Sequence, residues 1–317
     1  MREGQKYTES TSIPSSEEWL EEQFKKVETL DIDGRTLRVL DINPLDAKTE
    51  VPVIIAGGYG TYSPLHNKVN IMEMVRQKRR TLFIDEPRGI ERSDKKRTPE
   101  EIEEFFLRQT EAMLAALDKK EIPEAAIVGH SEGCMSATVA AYLYPERIRH
   151  LVLFNPGGMI GDDSFVKLCY RFLTEGLNEM KREKNKMSPV AQQQAKKGGE
   201  GFKKYLLEDK AASISELRAM AKQQIRALLK QAHDNGVLIS VIHGINDKVF
   251  PMKRIQKHIS RTSTEKKQGE NLIVDGFYSV KGGHGEFVMN PERWTQVADT
   301  ALTALEEKQK IISAEKI

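Results

Sequence analysis

Apolar positions in this chain gather in short, nearly unbroken runs: Val51 to Ala56, Thr81 to Ile84, Ile127-Val128 with the alanines before them, Leu151 to Phe154, Val237 to Ile242 and Phe277 to Val280. Runs of this length that end in Gly, Asp, Asn or Pro predict strands buried on both faces. Between them the apolar spacing turns helical, as in Val69 to Gln77, the stripe Ile102, Phe105, Phe106, Met113, Leu117, and Met252 to Ser260. Strand, helix, strand at this spacing predicts right-handed parallel crossovers. Thr98-Pro99-Glu100-Glu101 reads as a capping box that opens one such helix, and Asn290-Pro291 opens a closing amphipathic helix through Trp294, Val297, Ala298, Leu302 and Leu305. Ahead of all this, Phe24 to Asn43 alternates around Asp33-Gly34, which predicts an antiparallel hairpin.

The rhythm breaks after Asn155-Pro156-Gly157-Gly158. From Gly161 to Asn235 the pattern is helical only, with Phe165, Leu168, Cys169, Phe172 and Leu173 on one face, and a last helix expected to start at a capping box of Ser213 and Glu216 and to run through Leu217, Met220, Ile225 and Leu228. The expected organisation is a polar tail over residues 1–24, with Trp19, Leu20 and Phe24 pinning its end, a core over 25–160 and 236–317, and an all-helical insert over 161–235. An insert between two strands reads as a lid over a site at the strand ends, against the plainer reading of a lateral elaboration.

Composition narrows the function classes. Forty-nine Lys and Arg against 47 Asp and Glu leave a net charge of +2, which argues against nucleic acid or a membrane surface as partner; the Lys-rich stretches near Lys95 and Lys181 read as solvated surface. Two cysteines, Cys134 and Cys169, make no disulfide framework and no metal-binding cluster, so no metal or other cofactor is expected. With no apolar leader and no membrane-length apolar run, the expectation is a cytoplasmic protein whose partner is a small-molecule substrate.

The chemistry concentrates in Gly129-His130-Ser131-Glu132-Gly133. A serine on a tight strand-to-helix turn needs neighbours with almost no side chain, and the flanking glycines supply that room. Downstream, Ser136, Ala137 and Ala140 give a helix face that can lie close on a sheet. Such a turn lifts the Ser131 hydroxyl above the strand end and aims the amide of Glu132 at whatever the hydroxyl attacks. A serine nucleophile also needs an imidazole to take its proton and a carboxylate to orient that imidazole. Among seven histidines His284 alone follows the last strand, in Gly282-Gly283-His284-Gly285. His130 and His243 read as structural, and His66, His150, His233 and His258 have no matching context. Asp247, just past a strand, is the best-placed acid; Asp162, Asp163 and Asp275 are its rivals.

With these residues in place, the chain resembles the α/β-hydrolase fold superfamily, over about residues 25 to 310. The resemblance rests on GHSEG, on HGxxDxxxP from His243 to Pro251, on GGHGEF from Gly282 to Phe287, and on the chain order Ser131, Asp247, His284. It implies an α/β-hydrolase fold, a mostly parallel sheet with flanking helices and an inserted helical cap, with Ser131 as nucleophile, Asp247 as acid and His284 as base. The second oxyanion donor, after Glu132, is then Gly58 or Tyr59, because Ala56-Gly57-Gly58-Tyr59 stands where His-Gly-X is usual. The DEPRGIERS stretch is similar to the family's DxPGxGxS turn, with Glu91 at the second glycine. The implied activity is carboxylic ester hydrolysis through an acyl-enzyme; amide, aminopeptidase or carbon–carbon hydrolysis and non-catalytic ligand binding remain open.

Overall fold

The predicted hairpin and the six apolar runs become eight strands among the described residues: β1 (Glu28–Ile32), β2 (Arg35–Ile42), β3 (Val53–Ala56), β4 (Thr81–Asp85), β5 (Ala125–His130), β6 (Ile148–Phe154), β7 (Leu238–Gly244) and β8 (Gly276–Val280). The structure is a computed structural model and describes residues 17–32, 34–60, 67–85, 102–161, 164–176, 178, 179, 192, 196, 200, 203, 204, 207, 208, 210–259 and 273–315. The strands form one sheet in the order β1-β2-β4-β3-β5-β6-β7-β8. β1 and β2 are the expected antiparallel hairpin, β2 meets β4 antiparallel, and every pairing from β4 through β3, β5, β6 and β7 to β8 is parallel. All residues of β3, β5 and β7 are buried, which is why these strands read as continuous apolar runs rather than alternating ones.

Helices cover both faces. On one lie α3 (Glu104–Lys119), α4 (Gly133–Leu143) and α7 (Arg226–Asp234), and α4 packs so closely that residues 133–141 are all buried. The other face carries α2 (Lys68–Arg76) and α10 (Pro291–Ala314), the latter preceded by the short α9 (Glu286–Met289), with Leu20 of α1 (Glu17–Phe24) in the same cluster and Trp19 and Phe24 packed against it. Each fully buried Leu or Phe there contributes about 2 kcal/mol. Arg79 is fully buried just before β4 and is paired with Asp299 (2.5 Å) and Glu306 (2.6 Å) of α10. A buried guanidinium requires such partners, so the pairing fixes α10 against the sheet.

The region between β6 and β7 departs from expectation in two places. Helix α5 (Phe165–Arg171) runs into a π-helical turn at Phe172–Gly176, which shifts the phase of the stripe: Leu168 is buried while Leu173 is 62% exposed. Ser213 and Glu216 do not cap a helix. They lie buried inside α6 (Lys210–Lys222), and the chain leaves helical register at 223–225 before α7 because the Ile225 N–H donates to the Gly158 carbonyl (3.1 Å) and Gln223 Oε1 accepts from the Glu103 N–H (2.9 Å). Ile102 sits in an isolated bridge, and α3 begins at Glu104. The capping box at Thr98–Glu101, the stretch from Glu86 to Ser93, Asp33 and the tail over residues 1–16 lie outside the described residues.

Candidate active site

The sheet brings five segments to one edge, at the C-terminal ends of neighbouring parallel strands. Ser131 follows β5 with a backbone φ of +54°, a left-handed conformation that costs a serine about 1–2 kcal/mol. The flanking glycines make that turn possible. A Cβ on Gly133 would lie 2.3 Å from the Ala56 carbonyl oxygen and 2.5 Å from that of Gly57, and one on Gly129 would lie 3.0 Å from the backbone of Cys134. The Ser131 N–H donates to the Phe154 carbonyl (2.9 Å), and the Ser131 carbonyl accepts from the Gly157 N–H (3.0 Å), tying the turn to the end of β6.

His284 follows β8, and its Nε2 lies 3.0 Å from Ser131 Oγ. Its Nδ1 lies 2.9 Å from Oδ2 of Asp247, which follows β7. The other Asp247 oxygen, Oδ1, accepts from the Phe250 N–H (2.9 Å), so both carboxylate oxygens are engaged. With Nδ1–H donating to the carboxylate, Nε2 is left as the acceptor for the serine hydroxyl. The geometry thus joins hydroxyl, imidazole and carboxylate in one buried line.

Aromatic rings enclose the imidazole. Phe250 stands edge-on to His284 at 5.0 Å between ring centres, and Phe172, from the π-helical turn, does so at 5.5 Å. His130 stacks on Phe287 at 4.9 Å, and its Nε2–H donates to the His284 carbonyl (3.0 Å). Burial, with the charge of the neighbouring His284 adding to it, pushes the His130 imidazole down to about 3, so it stays neutral. His243 is likewise buried, depressed by that burial, and its Nε2–H donates to the Phe250 carbonyl (2.9 Å). Both histidines are backbone fasteners.

The strand-end loop after β3 lies against the elbow: a Cβ on Gly58 would sit 3.2 Å from Ser131 Cβ and 3.0 Å from His130 Nδ1. Tyr59 is buried, and its hydroxyl donates to the Ser213 carbonyl of α6 (3.0 Å). Glu132 is fully buried at the residue before α4, with no capping bond from its side chain. Gly58 therefore lies beside the serine, with Tyr59 next to it in the chain and Glu132 following the serine directly. The rival acid Asp275 is not: its oxygens meet His233 (3.4 Å), Lys308 (2.8 Å) and the Ile239 N–H (2.6 Å) at the start of β8, and Asp162 and Asp163 lie outside the described residues. His150 is buried within β6, and His258 lies in α8 (Met252–Ile259).

Sequence reasoning missed two contributors. Asn155 (φ +44°) ends β6 and reads only as a turn residue, yet its Nδ2 donates to the carbonyls of Gly283 (3.0 Å) and His284 (3.2 Å) while its Oδ1 accepts from the Gly244 N–H (2.8 Å). Its preference for a strand-end left-handed position was the available signal. Glu179, in the middle of a polar stretch, gave none, but its Oε2 accepts from the Gly285 N–H (3.0 Å). Among the described residues no group of His, Cys, Asp and Glu is arranged to hold a metal ion, and no helix is long and apolar enough to cross a membrane.

A search of curated proteins finds no match. Among solved structures, the chain is similar to the enol-lactonase from Burkholderia xenovorans LB400 (TM-score 0.60, 15% identity, 87% of this chain and 100% of that one). It is also similar to a thermophilic esterase from Thermogutta terrifontis (0.54, 16%, 88% and 97%) and to the meta-cleavage product hydrolase from Pseudomonas fluorescens IP01 (0.51, 18%, 87% and 97%). A family model for the α/β hydrolase fold matches residues 51–183, which span the loop after β3 and the serine elbow. The sheet order, the elbow and this match together show that the chain has the α/β-hydrolase fold.

Proposed function

We propose that the protein is a serine hydrolase that cleaves a carboxylic ester of a small or medium-sized substrate through an acyl-enzyme. The observation that carries this reading is the unbroken line from Ser131 Oγ to His284 Nε2 (3.0 Å) and from His284 Nδ1 to Asp247 Oδ2 (2.9 Å), with the serine held in a left-handed turn. In the proposed reaction Ser131 Oγ attacks the ester carbonyl as its proton passes to His284 Nε2. Asp247 holds the ring in the productive tautomer and offsets the positive charge that forms. The oxyanion is received by the amide of Glu132 and by that of Gly58 or Tyr59. The imidazolium then protonates the departing alcohol, and a water molecule, deprotonated by the same ring, releases the acid and regenerates Ser131.

The segment over residues 161–235 acts, in this reading, as a lid. Phe172 against the His284 ring and Tyr59 bonded to Ser213 support it, since both link the segment to catalytic loops and exclude water from them. A cytoplasmic setting is part of the same proposal and rests on the free thiols of Cys134 and Cys169. The resemblance to a lactonase and an esterase favours esters, whereas the meta-cleavage product hydrolase keeps carbon–carbon cleavage as the second reading. The test is twofold: a fluorophosphonate probe should label Ser131 stoichiometrically, and p-nitrophenyl esters of graded chain length should turn over faster than aminoacyl amides or a vinylogous diketone. Folded protein that neither takes the probe nor turns over any of these would be a ligand binder.

A further inference from the structure

Glu179 is the one acidic side chain from the segment between β6 and β7 that the described structure sets against the His284 loop. Its carboxylate lies flat on the backbone of that loop: Oε2 accepts from the Gly285 N–H (3.0 Å), and a Cβ on Gly283 would lie 2.0 Å from Oε1 and 2.6 Å from Cδ. The glycine at 283 is therefore what admits the carboxylate. Glu179 is only 6% exposed, and Oε1 has no hydrogen-bond partner among the described residues. A buried carboxylate with one oxygen unsatisfied is costly unless a positive charge arrives nearby. Among the described residues, the neighbouring group able to supply it is His284, which in the proposed mechanism becomes an imidazolium each time it takes the serine proton.

We propose that Glu179 is a positioning residue for the base, gripping the backbone on either side of His284 and setting a second carboxylate beside the His284–Asp247 pair. This rests on the serine-hydrolase reading above. Among the described residues, the charged and titratable groups around the two are these. Asp247 and Glu286 bear on Glu179 with like charge, His284 with opposite charge, and His130 and His243 flank the imidazole from the elbow and from β7. Burial, reinforced by the two like charges, biases Glu179 toward its neutral form, while the hydrogen bond from the Gly285 N–H and the proximity of His284 work the other way. Proton transfer to His284 thus relieves the buried carboxylate, and the relief is felt in the transition state rather than in the resting enzyme. Because Glu179 belongs to the segment over 161–235, that segment must be seated for the base to be fully supported.

The experiment compares the full-length protein with Glu179→Gln and Glu179→Ala. Gln keeps an oxygen for the Gly285 N–H but carries no charge; Ala removes both. Glu179→Ala is expected to lower kcat for a p-nitrophenyl ester, and the rate of fluorophosphonate labelling, by about tenfold while KM stays within about twofold. Glu179→Gln should recover most of that rate at high pH, and the midpoint of its kcat/KM profile should move to lower pH by about half a unit, as expected when a nearby negative charge is removed. The same downward move should be seen in the NMR titration of the His284 ring, a readout that needs neither turnover nor the alanine variant to fold. Wild-type protein inert to esters and probe would sink the hydrolase reading, while the ring titration would still decide the influence of Glu179 on His284. A ring midpoint unchanged in Glu179→Gln, or an effect confined to KM, would overturn the positioning role.

Discussion

The side-chain amide of Asn155 donates to the carbonyl oxygen of His284 at 3.2 Å, so the residue that closes β6 holds the residue that follows β8. The same side chain reaches Gly283 and the amide of Gly244 at the end of β7, and three strand ends share one fastener. Asn155→Ala would leave these buried groups unpaired and put a Cβ residue without a compensating side chain at φ +44°. We expect a loss of about 2–3 kcal/mol in urea unfolding and a fall in kcat that exceeds any change in KM. Unchanged stability would mean that water or the backbone takes over these bonds.

The left-handed turn at Ser131 separates two inactivating substitutions. Both Ser131→Ala and Ser131→Gly should lower ester hydrolysis on the order of 10³-fold or more. Glycine relaxes at φ +54° whereas alanine does not, so Ser131→Gly should be the more stable by about 0.5–1 kcal/mol. Equal unfolding midpoints would show that the turn carries no strain.

Gly133→Ala should be damaging although it adds a single methyl group. The methyl would meet the carbonyl oxygens of Ala56 and Gly57 at 2.3 and 2.5 Å, and these are backbone atoms that cannot swing aside. We expect a loss of about 1–3 kcal/mol together with reduced probe labelling, because the displaced loop carries Gly58 and Tyr59. Differential scanning calorimetry beside a labelling time course checks both; a variant with wild-type values in each would show the loop to be soft.

Acid should destabilise the fold in two windows. The buried His130 ring is held down to about 3, against about 6.5 when unfolded, so the unfolded chain takes up a proton that the folded one refuses. Its contribution is complete above about pH 6.5 and is lost as pH falls toward 3. For Asp275, burial pushes the carboxyl up, but hydrogen bonds from His233, Lys308 and the Ile239 amide outweigh it and bring it to about 2. That stability is present above about pH 4 and is lost as pH falls toward 2. Urea midpoints measured against pH should flatten in the upper window for His130→Phe and in the lower one for Asp275→Asn; unchanged slopes would contradict these assignments.

The parallel core was legible because its strands are buried on both faces and so carry unbroken apolar runs, as in Val237 to Ile242, while the Asp33-Gly34 pair marked the hairpin of β1 and β2. Ser131 stood out through glycines whose absence of side chain the packing demands, and His284 and Asp247 through their places after strands. Residues whose role depends on distant backbone were hidden. Nothing near Glu179 in sequence points to Gly285, 106 positions away, and nothing near Asn155 points to the loops after β7 and β8. Ser213 and Glu216 mimicked a helix start because a capping box is a local pattern, whereas the real break at 223–225 is dictated by contacts with Gly158 and Glu103. The π-helical turn likewise changed the phase that placed Leu173 inward.

Ser131 and His284 stand 153 positions apart along the chain. During synthesis the elbow serine therefore leaves the ribosome long before its imidazole exists, and it can meet that imidazole only after β8 has docked on β7. A nascent chain, or a fragment clipped before the last strand, carries the serine with no partner to draw off its proton. Under the proposed mechanism, fluorophosphonate labelling of Ser131 would then report completion of the sheet as well as catalytic competence.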